Sequence, residues 1–212
     1  MKLLVATRSA GKQREMQRVL EAAGHEVVFP GQAGILEEPV EELLETADSF
    51  EGNARRKAEY FARRSALPTI ADDSGLEVLA LGGEPGVRSK RWAGVSGSPA
   101  AVDAANNAEL HRRLLGAPES KRRARYRCVI VLLRSPGAIP EVFEGSCDGT
   151  ILAEPRGDGG FGYDPWFLSD DLGRTFAEVT ADEKDAVSHR GRALAKLIAA
   201  LGRAAGPPIG PP

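Results

Sequence analysis

Four short stretches of the sequence carry polar and charged residues in patterns that suit phosphate, metal and base chemistry. The first is TRSAGK at residues 7–12, between an apolar run and a helical pattern. Backbone N–H groups at a helix start point outward and the helix dipole favours anions, so this turn can bind phosphate, with Lys12 adding a full charge. The GxxxxGK[ST] spacing of a P-loop is absent, so the segment alone is a weak indication.

The second stretch is Asp72-Asp73-Ser74-Gly75, at the predicted end of a short strand over residues 69–71. Adjacent carboxylates on an extended backbone point to opposite sides, so one can face a cleft while the other is held behind it. Such a carboxylate suits Mg²⁺, which takes few protein ligands together with phosphate oxygens and water. Because Asp and Gly are also common turn residues, a plain turn explains this stretch equally well.

Two later stretches add aromatic and cationic side chains. In FGYD, residues 161–164, glycine permits close backbone approach and the aromatic rings could stack on a base, although a turn with core aromatics explains the stretch better by itself. Lys184 precedes Ser188-His189-Arg190-Gly191, in which Arg190 can hold phosphate or a base edge and His189 can donate or accept a hydrogen bond. A lone histidine is more often structural. Together the four stretches suggest phosphate, magnesium and a base.

An α/β fold with a mixed sheet is predicted to position these stretches. Apolar runs at residues 2–6 and 25–29 indicate strands, and the helix between them has one apolar face, at Met16, Val19, Leu20 and Ala23. This βαβ unit has parallel strands, which places residues 7–12 at the carboxyl edge of the sheet, where open α/β folds bind ligands. Residues 125–133 and 141–152 indicate an antiparallel hairpin.

The remaining elements are predicted from caps and breakers. Ser49 can cap a helix to about Arg64, Ser98 a helix to near Gly116, and Thr180 with Glu183 forms a capping box that opens the last helical region. Further short strands are predicted at residues 76–81 and 166–168. Residues 31–48, 82–97 and 157–165 are predicted to be loops.

Composition limits the classes of protein that fit this chain. With 212 residues, 42% of them hydrophobic, and a formal net charge of −2, it can build one domain or two packed lobes, and it lacks the basic excess of a duplex-binding surface. The basic clusters at residues 55–57 and 121–123 are interpreted as solvated helix faces. No signal peptide or membrane-spanning stretch is visible, so a cytoplasmic location without a membrane partner is expected.

Two cysteines, Cys128 and Cys147, are too few for a disulfide scaffold. A turn at Pro136-Gly137 would bring them roughly opposite each other in the predicted hairpin. Two buried thiols are favoured over a disulfide, in agreement with a reducing compartment.

Several of these segments, in this order and spacing, resemble the Ham1-like family of inosine and xanthosine triphosphate pyrophosphatases. The matching segments are ADDSGL at residues 71–76, LGGEPGV at 81–87, GGFGYDP at 159–165, EK at 183–184 and SHRG at 188–191. The resemblance runs from residue 3 to about residue 201. It implies one domain over residues 1–205, and we expect the Gly/Pro tail at residues 206–212 to be disordered.

The resemblance implies a two-lobed α/β fold in which helices flank an elongated mixed sheet and a substrate cleft lies between the lobes. It also implies a homodimer and a Mg²⁺-dependent enzyme that hydrolyses ITP, dITP or XTP to the nucleoside monophosphate and pyrophosphate. Asp73 would be the catalytic carboxylate and a metal ligand. The substrate would be bound by residues from all four stretches: Thr7, Arg8, Ser9, Ala10, Gly11, Lys12, Ser74, Phe161, Gly162, Tyr163, Asp164, Lys184, His189 and Arg190.

The sequence departs from the family pattern in two places. Ser9 stands where the family usually has asparagine, so one phosphate contact is expected to be shorter or lost. Gly52 stands where a glutamate is usual, with Glu51 one residue upstream. The family also has a second acidic metal ligand before this helix, for which Glu45 is preferred here, with Glu41 and Glu42 as alternatives.

Two other functions compete with this hypothesis. A Maf-like pyrophosphatase would act on other modified nucleotides, but Ser188-His189-Arg190 favours a purine substrate. A non-catalytic nucleic-acid binder would use Arg88, Lys90, Arg91 and Trp92. The near-neutral net charge and the acidic Asp72-Asp73 pair disfavour stable binding to nucleic acid.

Overall fold

The fold is seen in a computed structural model that describes residues 1–204, so the predicted tail at residues 206–212 lies outside the described residues. Six strands form one mixed sheet in the order β2-β1-β3-β4-β5-β6. The strands are β1 (Lys2–Val5), β2 (Glu26–Val28), β3 (Thr69–Val78), β4 (Arg123–Leu133), β5 (Glu141–Ile151) and β6 (Phe167–Ser169). β1 runs parallel to β2 and β3, and the other pairs are antiparallel, which confirms the predicted mixed α/β sheet.

Three of the α-helices begin where the sequence predicts caps. Ser49, Ser98 and Thr180 each accept a hydrogen bond from a backbone N–H in the first turn of the helix that follows, which satisfies one of the free donors there. The α-helices are α1 (Ala10–Ala22), α2 (Phe50–Ser65), α3 (Pro99–Leu114), α4 (Ala181–Val187) and α5 (His189–Ala204). Short 3₁₀ helices span Pro39–Glu45, Leu79–Leu81, Gly86–Arg88 and Glu119–Lys121.

The alternation of side chains along the strands builds a core on both faces of the sheet. Leu3 and Val5 point to the face covered by α1 and α5, whereas Leu4 and Ala6 point to the face covered by α2. A third cluster surrounds the far half of the sheet, where Leu110 and Leu114 of α3 pack with Leu76 and Tyr126. The central strands β3 and β4 contribute to all three clusters.

Strand β3 differs from the prediction, because residues 69–78 form one strand of ten residues. Asp72 and Asp73 therefore lie in the middle of a strand, and the predictions of a strand end at this point and of a separate strand over residues 76–81 are wrong. The reason is tertiary: β4 pairs with β3 along its whole length, including Ser74 and Gly75, and this ladder overrides the local preference for a turn.

The early strand β1 nevertheless ends next to the two carboxylates. β1 pairs with β3 only at Thr69 and Ile70, so β3 extends well beyond the end of β1. The turn at residues 7–12 follows β1 directly, so it lies beside Asp72 and Asp73. The turn predicted to bind phosphate thus follows the carboxyl end of β1, as expected. It lies beside the middle of β3.

Two smaller predictions also need correction. Residues 31–48, predicted to be loop, contain the 3₁₀ helix Pro39–Glu45, because Glu38 and Glu41 form a capping box at its start. Cys147 lies opposite Tyr126 rather than Cys128, which pairs with Gly145. Both cysteines are buried free thiols, as preferred from the sequence, and burial raises the pKa of Cys147 to about 12. Within residues 1–204 no helix has the length and apolar character needed to span a bilayer.

Gly145 allows α5 to pack directly on β5. A Cβ at this position would overlap the carbonyl oxygen of His189 and lie 2.6 Å from the backbone nitrogen of Ala193. We expect Gly145→Ala to lower the free energy of unfolding by about 1–3 kcal/mol, because the helix must move off the strand. Chemical denaturation measures this change.

The matched control is Gly202→Ala, in helix α5, which packs on Gly145. Among residues 1–204, a Cβ at Gly202 would meet nothing within 4 Å, so this substitution should stabilise the protein by about 0.5–1 kcal/mol through helix propensity. Equal effects of the two substitutions would contradict the packing argument.

Candidate active site

A cavity, called here the central cavity, opens between the end of β1, the middle of β3 and the loop at residues 157–165. Most of the residues that the sequence places in a substrate or metal site line it: Thr7, Ser9, Lys12, Glu45, Asp73, Ser74, Phe161, Gly162, Tyr163, Asp164, His189 and Arg190. Four other candidates, Arg8, Ala10, Gly11 and Lys184, lie outside its lining. The cavity therefore collects residues from all four stretches.

Asp72 and Asp73 face opposite sides of β3, as expected for neighbours on a strand. Asp72 points towards α1 and α5, where its Oδ2 lies 3.0 Å from Lys12 Nζ and 3.3 Å from Arg190 Nε. Burial opposes ionisation, but Lys12 and Arg190 outweigh it and hold the pKa of Asp72 well below its usual value. Asp72 is thus a fixed negative charge that positions two cations at the cavity.

Asp73 points towards α2 and has the opposite electrostatic character. Its Oδ2 accepts a hydrogen bond of 2.8 Å from Asn53, and its Oδ1 lies 3.7 Å from Lys57 Nζ. Burial raises the pKa of Asp73 above its usual value, despite the opposing charge of Lys57. A carboxylate with a raised pKa is a better proton acceptor, which suits a general base.

Glu45 is the acidic residue of the 3₁₀ segment that reaches the central cavity. Lys57 lies 2.8 Å from its Oε1 and Arg91 lies 2.8 Å from its Oε2. Lys57 is the main reason that the pKa of Glu45 falls to about 2. The alternatives Glu41 and Glu42 line a neighbouring depression instead, where Glu41 binds Arg8.

Lys57 shows where sequence reasoning failed. It belongs to the basic cluster interpreted as solvated, yet it is buried and donates to Glu45 and to the backbone carbonyl of Asp72. Burial opposes its charge, but Glu45 and Asp73 outweigh this and raise the pKa of Lys57. Its spacing of four residues from Asn53 on α2 places both on the helix face towards β3, which is the signal that could have found it.

A second missed residue, Glu15, joins two predicted cations. It lies between Arg190 and Lys184, with Lys184 Nζ 2.8 Å from its Oε1, and Lys184 also contacts Asp164 at 2.5 Å. Burial would raise the pKa of Glu15, but Arg190 and Lys184 lower it to about 2. Glu15 follows Lys12 by three residues on α1, so both side chains lie on one helix face.

His189 and Arg190 begin α5 beside the central cavity. The His189 ring stacks on Tyr126, with centroids 4.5 Å apart, and its Nδ1 has no hydrogen-bond partner among residues 1–204. Burial, together with the charge of Arg190, lowers the pKa of His189 well below its usual value, so the ring is neutral at pH 7. Arg190 donates to Ser74 Oγ at 2.8 Å. The pair can therefore present hydrogen-bond donors without a second positive charge.

The loop at residues 157–165, called here the base loop, closes the other side of the cavity. The backbone N–H of Phe161 donates to Asp164 Oδ2 at 2.9 Å, and the Tyr163 hydroxyl donates to the carbonyl of Ser89 at 2.9 Å. The Phe161 ring lies against Gly11, and a Cβ added to Gly11 would lie 2.7 Å from Phe161 Cδ1. Lys184 lies 4.9 Å from the centre of that ring.

The four predicted residues outside the central cavity have other surroundings. Arg8 donates to Glu41 at 2.6 and 2.7 Å and to the carbonyl of Ile35, and Ala10 is exposed. Gly11 and Lys184 line a second depression, which shares Phe161 with the central cavity. Residues that line the central cavity but were not predicted include Ser89, Lys90, Asp103, Asn106 and Tyr126.

Comparison with known proteins identifies this arrangement. The model of the Ham1 family matches residues 3–200. The chain belongs to the Ham1 family. A dITP/XTP pyrophosphatase of Syntrophobacter fumaroxidans is 49% identical over 92% of this chain and 79% of its own length. One of Lactobacillus acidophilus is 45% identical over 94% of this chain and 96% of its own length.

Solved structures of Ham1 proteins share the fold. A HAM1 protein from Coxiella burnetii superposes with a TM-score of 0.81 at 35% identity, over 96% of this chain and 99% of its own. A dITP/XTP pyrophosphatase from Mycobacterium abscessus gives a TM-score of 0.69 at 45% identity, over 93% of this chain and 98% of its own. The Ham1 fold thus extends over nearly the whole chain.

A substitution of Glu15 tests how much its ion pairs with Arg190 and Lys184 stabilise the fold. Because the folded pKa of about 2 lies below the usual 4.5, the ionised carboxylate stabilises the fold above pH 4.5, and this contribution is lost as the pH falls towards 2. We expect Glu15→Gln to cost about 3–5 kcal/mol at pH 7, since it leaves two buried cations short of a partner.

Denaturant unfolding of both proteins from pH 7 to pH 3 measures this contribution. The variant should lose less stability than the wild type as the pH falls. If the free energies of unfolding of the two proteins changed with pH in parallel, the ionised Glu15 carboxylate would not contribute the predicted stability.

Proposed function

We propose that this Ham1 protein hydrolyses non-canonical purine nucleoside triphosphates, such as ITP, dITP and XTP, to the monophosphate and pyrophosphate. The observation that carries the proposal is the gathering in one cavity of two carboxylates, Asp73 and Glu45, with Lys12 and the His189-Arg190 pair. The names of the relatives, dITP/XTP pyrophosphatases, support it.

We further propose that Asp73 and Glu45 hold Mg²⁺. Among residues 1–204 no group of three or more His, Cys, Asp or Glu side chains is placed to hold a metal ion, so two carboxylates are the donors available. This small set fits Mg²⁺, which completes its octahedron with water and phosphate oxygens. When bound, the ion would offset negative charge on the phosphates. Lys57 neutralises part of the charge of both carboxylates and so keeps them together.

The hydrolysis needs a nucleophile, a proton acceptor and charge stabilisation. Water attacks the α-phosphorus in line, the new P–O bond forms, and the bond to the bridging oxygen of the β-phosphate breaks to release pyrophosphate. Asp73 orients the water and accepts its proton, a role for which its raised pKa suits it. Lys12, held by Asp72, stabilises charge on the phosphate oxygens.

Base selection is assigned to His189 and Arg190. Donors directed at the 6-oxo group of hypoxanthine or xanthine would face the donors of a 6-amino group when adenine enters. An unpaired donor in a buried site can give discrimination on the order of 10⁴-fold. The neutral His189 ring, whose Nδ1 has no hydrogen-bond partner in the part of the chain that the structure describes, agrees with a role as a hydrogen-bonding group for substrate.

We also propose a cytoplasmic homodimer that does not form stable complexes with nucleic acid or membranes. The buried free thiols of Cys128 and Cys147 agree with a reducing compartment. Light scattering after gel filtration measures the mass of the assembly, and a monomer at micromolar concentration would refute the dimer. The homodimer is carried over from the family resemblance.

The nucleic-acid alternative finds little support in the basic segment that suggested it. Arg88 pairs with Glu84, Lys90 with Asp103 and Arg91 with Glu45, so each cation has an acidic partner. Trp92 packs against the third core cluster. These pairs leave little net charge to attract phosphate backbones.

A panel of nucleoside triphosphates tests the proposal most directly. Pyrophosphate release should be rapid with ITP, dITP and XTP, slow with ATP, and should depend on added Mg²⁺. Preference for a modified pyrimidine would favour the Maf-like alternative, and equal rates with ITP and ATP would refute base selection at His189 and Arg190.

The central role of Asp73 leads to a prediction. Asp73→Asn keeps the shape and the contact with Asn53 but removes the proton acceptor and one metal ligand. We expect kcat for ITP to fall by at least about 10²–10⁴-fold at saturating Mg²⁺. Steady-state kinetics with a thermal melt as folding control measures this, and near-normal turnover would show that Asp73 is not catalytic.

Ser9 leads to a second prediction. It precedes α1 as N-cap, lines the central cavity, and makes no capping hydrogen bond with its side chain. Ser9→Asn supplies a longer hydrogen-bonding side chain beside the phosphate site, and one charged hydrogen bond is worth ~1.5 kcal/mol, or about a tenfold lower KM for ITP. Ser9→Ala serves as the control and should leave KM nearly unchanged. A KM for Ser9→Asn at or above that of the wild type would contradict the missing contact.

A further inference from the structure

Helix α3 holds the base loop from outside. Asp103 Oδ2 accepts a hydrogen bond of 2.9 Å from the backbone N–H of Gly162, and Asn107 Nδ2 donates one of 2.9 Å to the carbonyl of the same residue. Asp103 and Asn107 are four residues apart, so they lie on one face of the helix. The helix thus forms hydrogen bonds with both peptide groups that flank the Gly162 Cα.

These two hydrogen bonds restrain a glycine, the residue type with the widest range of backbone conformations. Gly162 has φ +64, a conformation that glycine adopts readily, and its missing side chain leaves it with a wide choice of other conformations. A rotation at Gly162 would move Phe161 on one side and Tyr163 on the other. Because glycine has little conformational preference of its own, the hydrogen bonds from α3 restrain Gly162 in this conformation.

The helix is well suited to serve as the fixed reference. Its Leu110 and Leu114, seven and eleven residues after Asp103 and so on the same face of the helix, are buried in the third core cluster. Asn106, the residue before Asn107, accepts a hydrogen bond from the backbone N–H of Ala93 and donates one to the carbonyl of Lys90. The segment at residues 90–93 and the base loop are therefore both fastened to one rigid helix.

Asp103 divides its two oxygens between these two segments. While Oδ2 accepts from Gly162, Oδ1 lies 3.1 Å from Lys90 Nζ. Both side chains line the central cavity, and the Lys90 side chain is 56% exposed. The exposed ion pair contributes little stability by itself, so the bond to Gly162 is the one that matters for the loop.

We propose that Asp103 and Asn107 are positioning residues that set the orientation of the Phe161 ring and thereby control how strongly the site selects and binds a purine base. The proposal rests on the proposed function, since it concerns the same cavity. Neither residue needs to contact substrate. Loss of either hydrogen bond would let the loop sample conformations in which the ring no longer packs against the base, which lowers affinity and selectivity together.

Five variants separate this role from others. Asp103→Ala and Asn107→Leu each remove one hydrogen bond to Gly162. Asp103→Asn keeps an acceptor oxygen for the Gly162 N–H and serves as the conservative rescue. Lys90→Gln breaks the ion pair but keeps the bond to the loop. Glu109→Gln, on the same helix but paired only with Arg112 and Arg113 among residues 1–204, is the matched control.

Two measurements are made on each variant. Amide hydrogen exchange of the base loop in the ligand-free protein reports loop restraint without reference to activity. We expect at least about tenfold faster exchange at Gly162 in Asp103→Ala, a smaller change in Asp103→Asn, and wild-type exchange in Lys90→Gln and Glu109→Gln.

Steady-state kinetics with ITP and ATP reports the consequence for the site. Asp103→Ala and Asn107→Leu should raise KM for ITP by about tenfold with kcat changed less than about threefold, and should lower the preference for ITP over ATP by a similar factor. Asp103→Asn should recover most of both values. Glu109→Gln should match the wild type.

The outcomes distinguish failure of this inference from failure of the proposed function. A wild type that does not prefer ITP refutes the proposed function, whereas the exchange rates still decide whether α3 restrains the loop. Wild-type exchange at Gly162 in both Asp103→Ala and Asn107→Leu would overturn the inference. Faster exchange at Gly162 in an active enzyme whose preference for ITP is unchanged would also overturn it. So would equal losses of turnover with ITP and ATP at unchanged KM. Either result would show that α3 contributes only stability. Asn107→Leu, which removes the other hydrogen bond to Gly162, keeps the test valid if Asp103→Ala fails to fold.

Discussion

Six charges alternate in sign through the interior of this protein: Lys12, Asp72, Arg190, Glu15, Lys184 and Asp164. A buried charge without a partner costs several kcal/mol, so each member restricts where the next can lie. The six come from α1, β3, α5, α4 and the base loop. Their mutual neutralisation therefore ties five separate segments into one geometry around the central cavity.

Two neighbouring carboxylates on β3 serve this arrangement in different ways. The pleat of the strand directs Asp72 into the chain of charges and Asp73 to the opposite side, towards Asn53 and Lys57. Cationic partners lower the pKa of Asp72, while burial raises that of Asp73. One carboxylate is thus held ionised as a structural charge, and the other retains the ability to accept a proton, although their sequence context is the same.

The two halves of the sheet meet at the central cavity through contacts that cross it. Arg91, from the segment after β3, binds Glu45 of the 3₁₀ helix, and the Tyr163 hydroxyl reaches the carbonyl of Ser89. Loops rich in glycine make such approaches possible but cannot hold a shape by themselves. Neighbouring helices supply the restraint, as α2 does for Glu45 through Lys57 and α3 does for the base loop.

Much of the architecture could be predicted from local patterns. Apolar periodicity and capping residues indicated the helices that begin after Ser49, Ser98 and Thr180, because these signals depend on a few adjacent residues. The mixed sheet was predicted from apolar runs and a hairpin pattern, and the family resemblance from short motifs. Errors fell where pairing at long range decides the outcome: the apparent turn at Ser74-Gly75 is strand because β4 pairs with it.

The sequence by itself determined the residue types of the site, including both carboxylates, the lysine of the first turn and the His189-Arg190 pair. Only the tertiary structure decided which of them share a cavity and which partners set their charge. Lys57 and Glu15 look like ordinary helix residues in sequence, yet both are buried between opposite charges. The reason is physical: electrostatic environment depends on distance and burial, and residues far apart along the chain supply both.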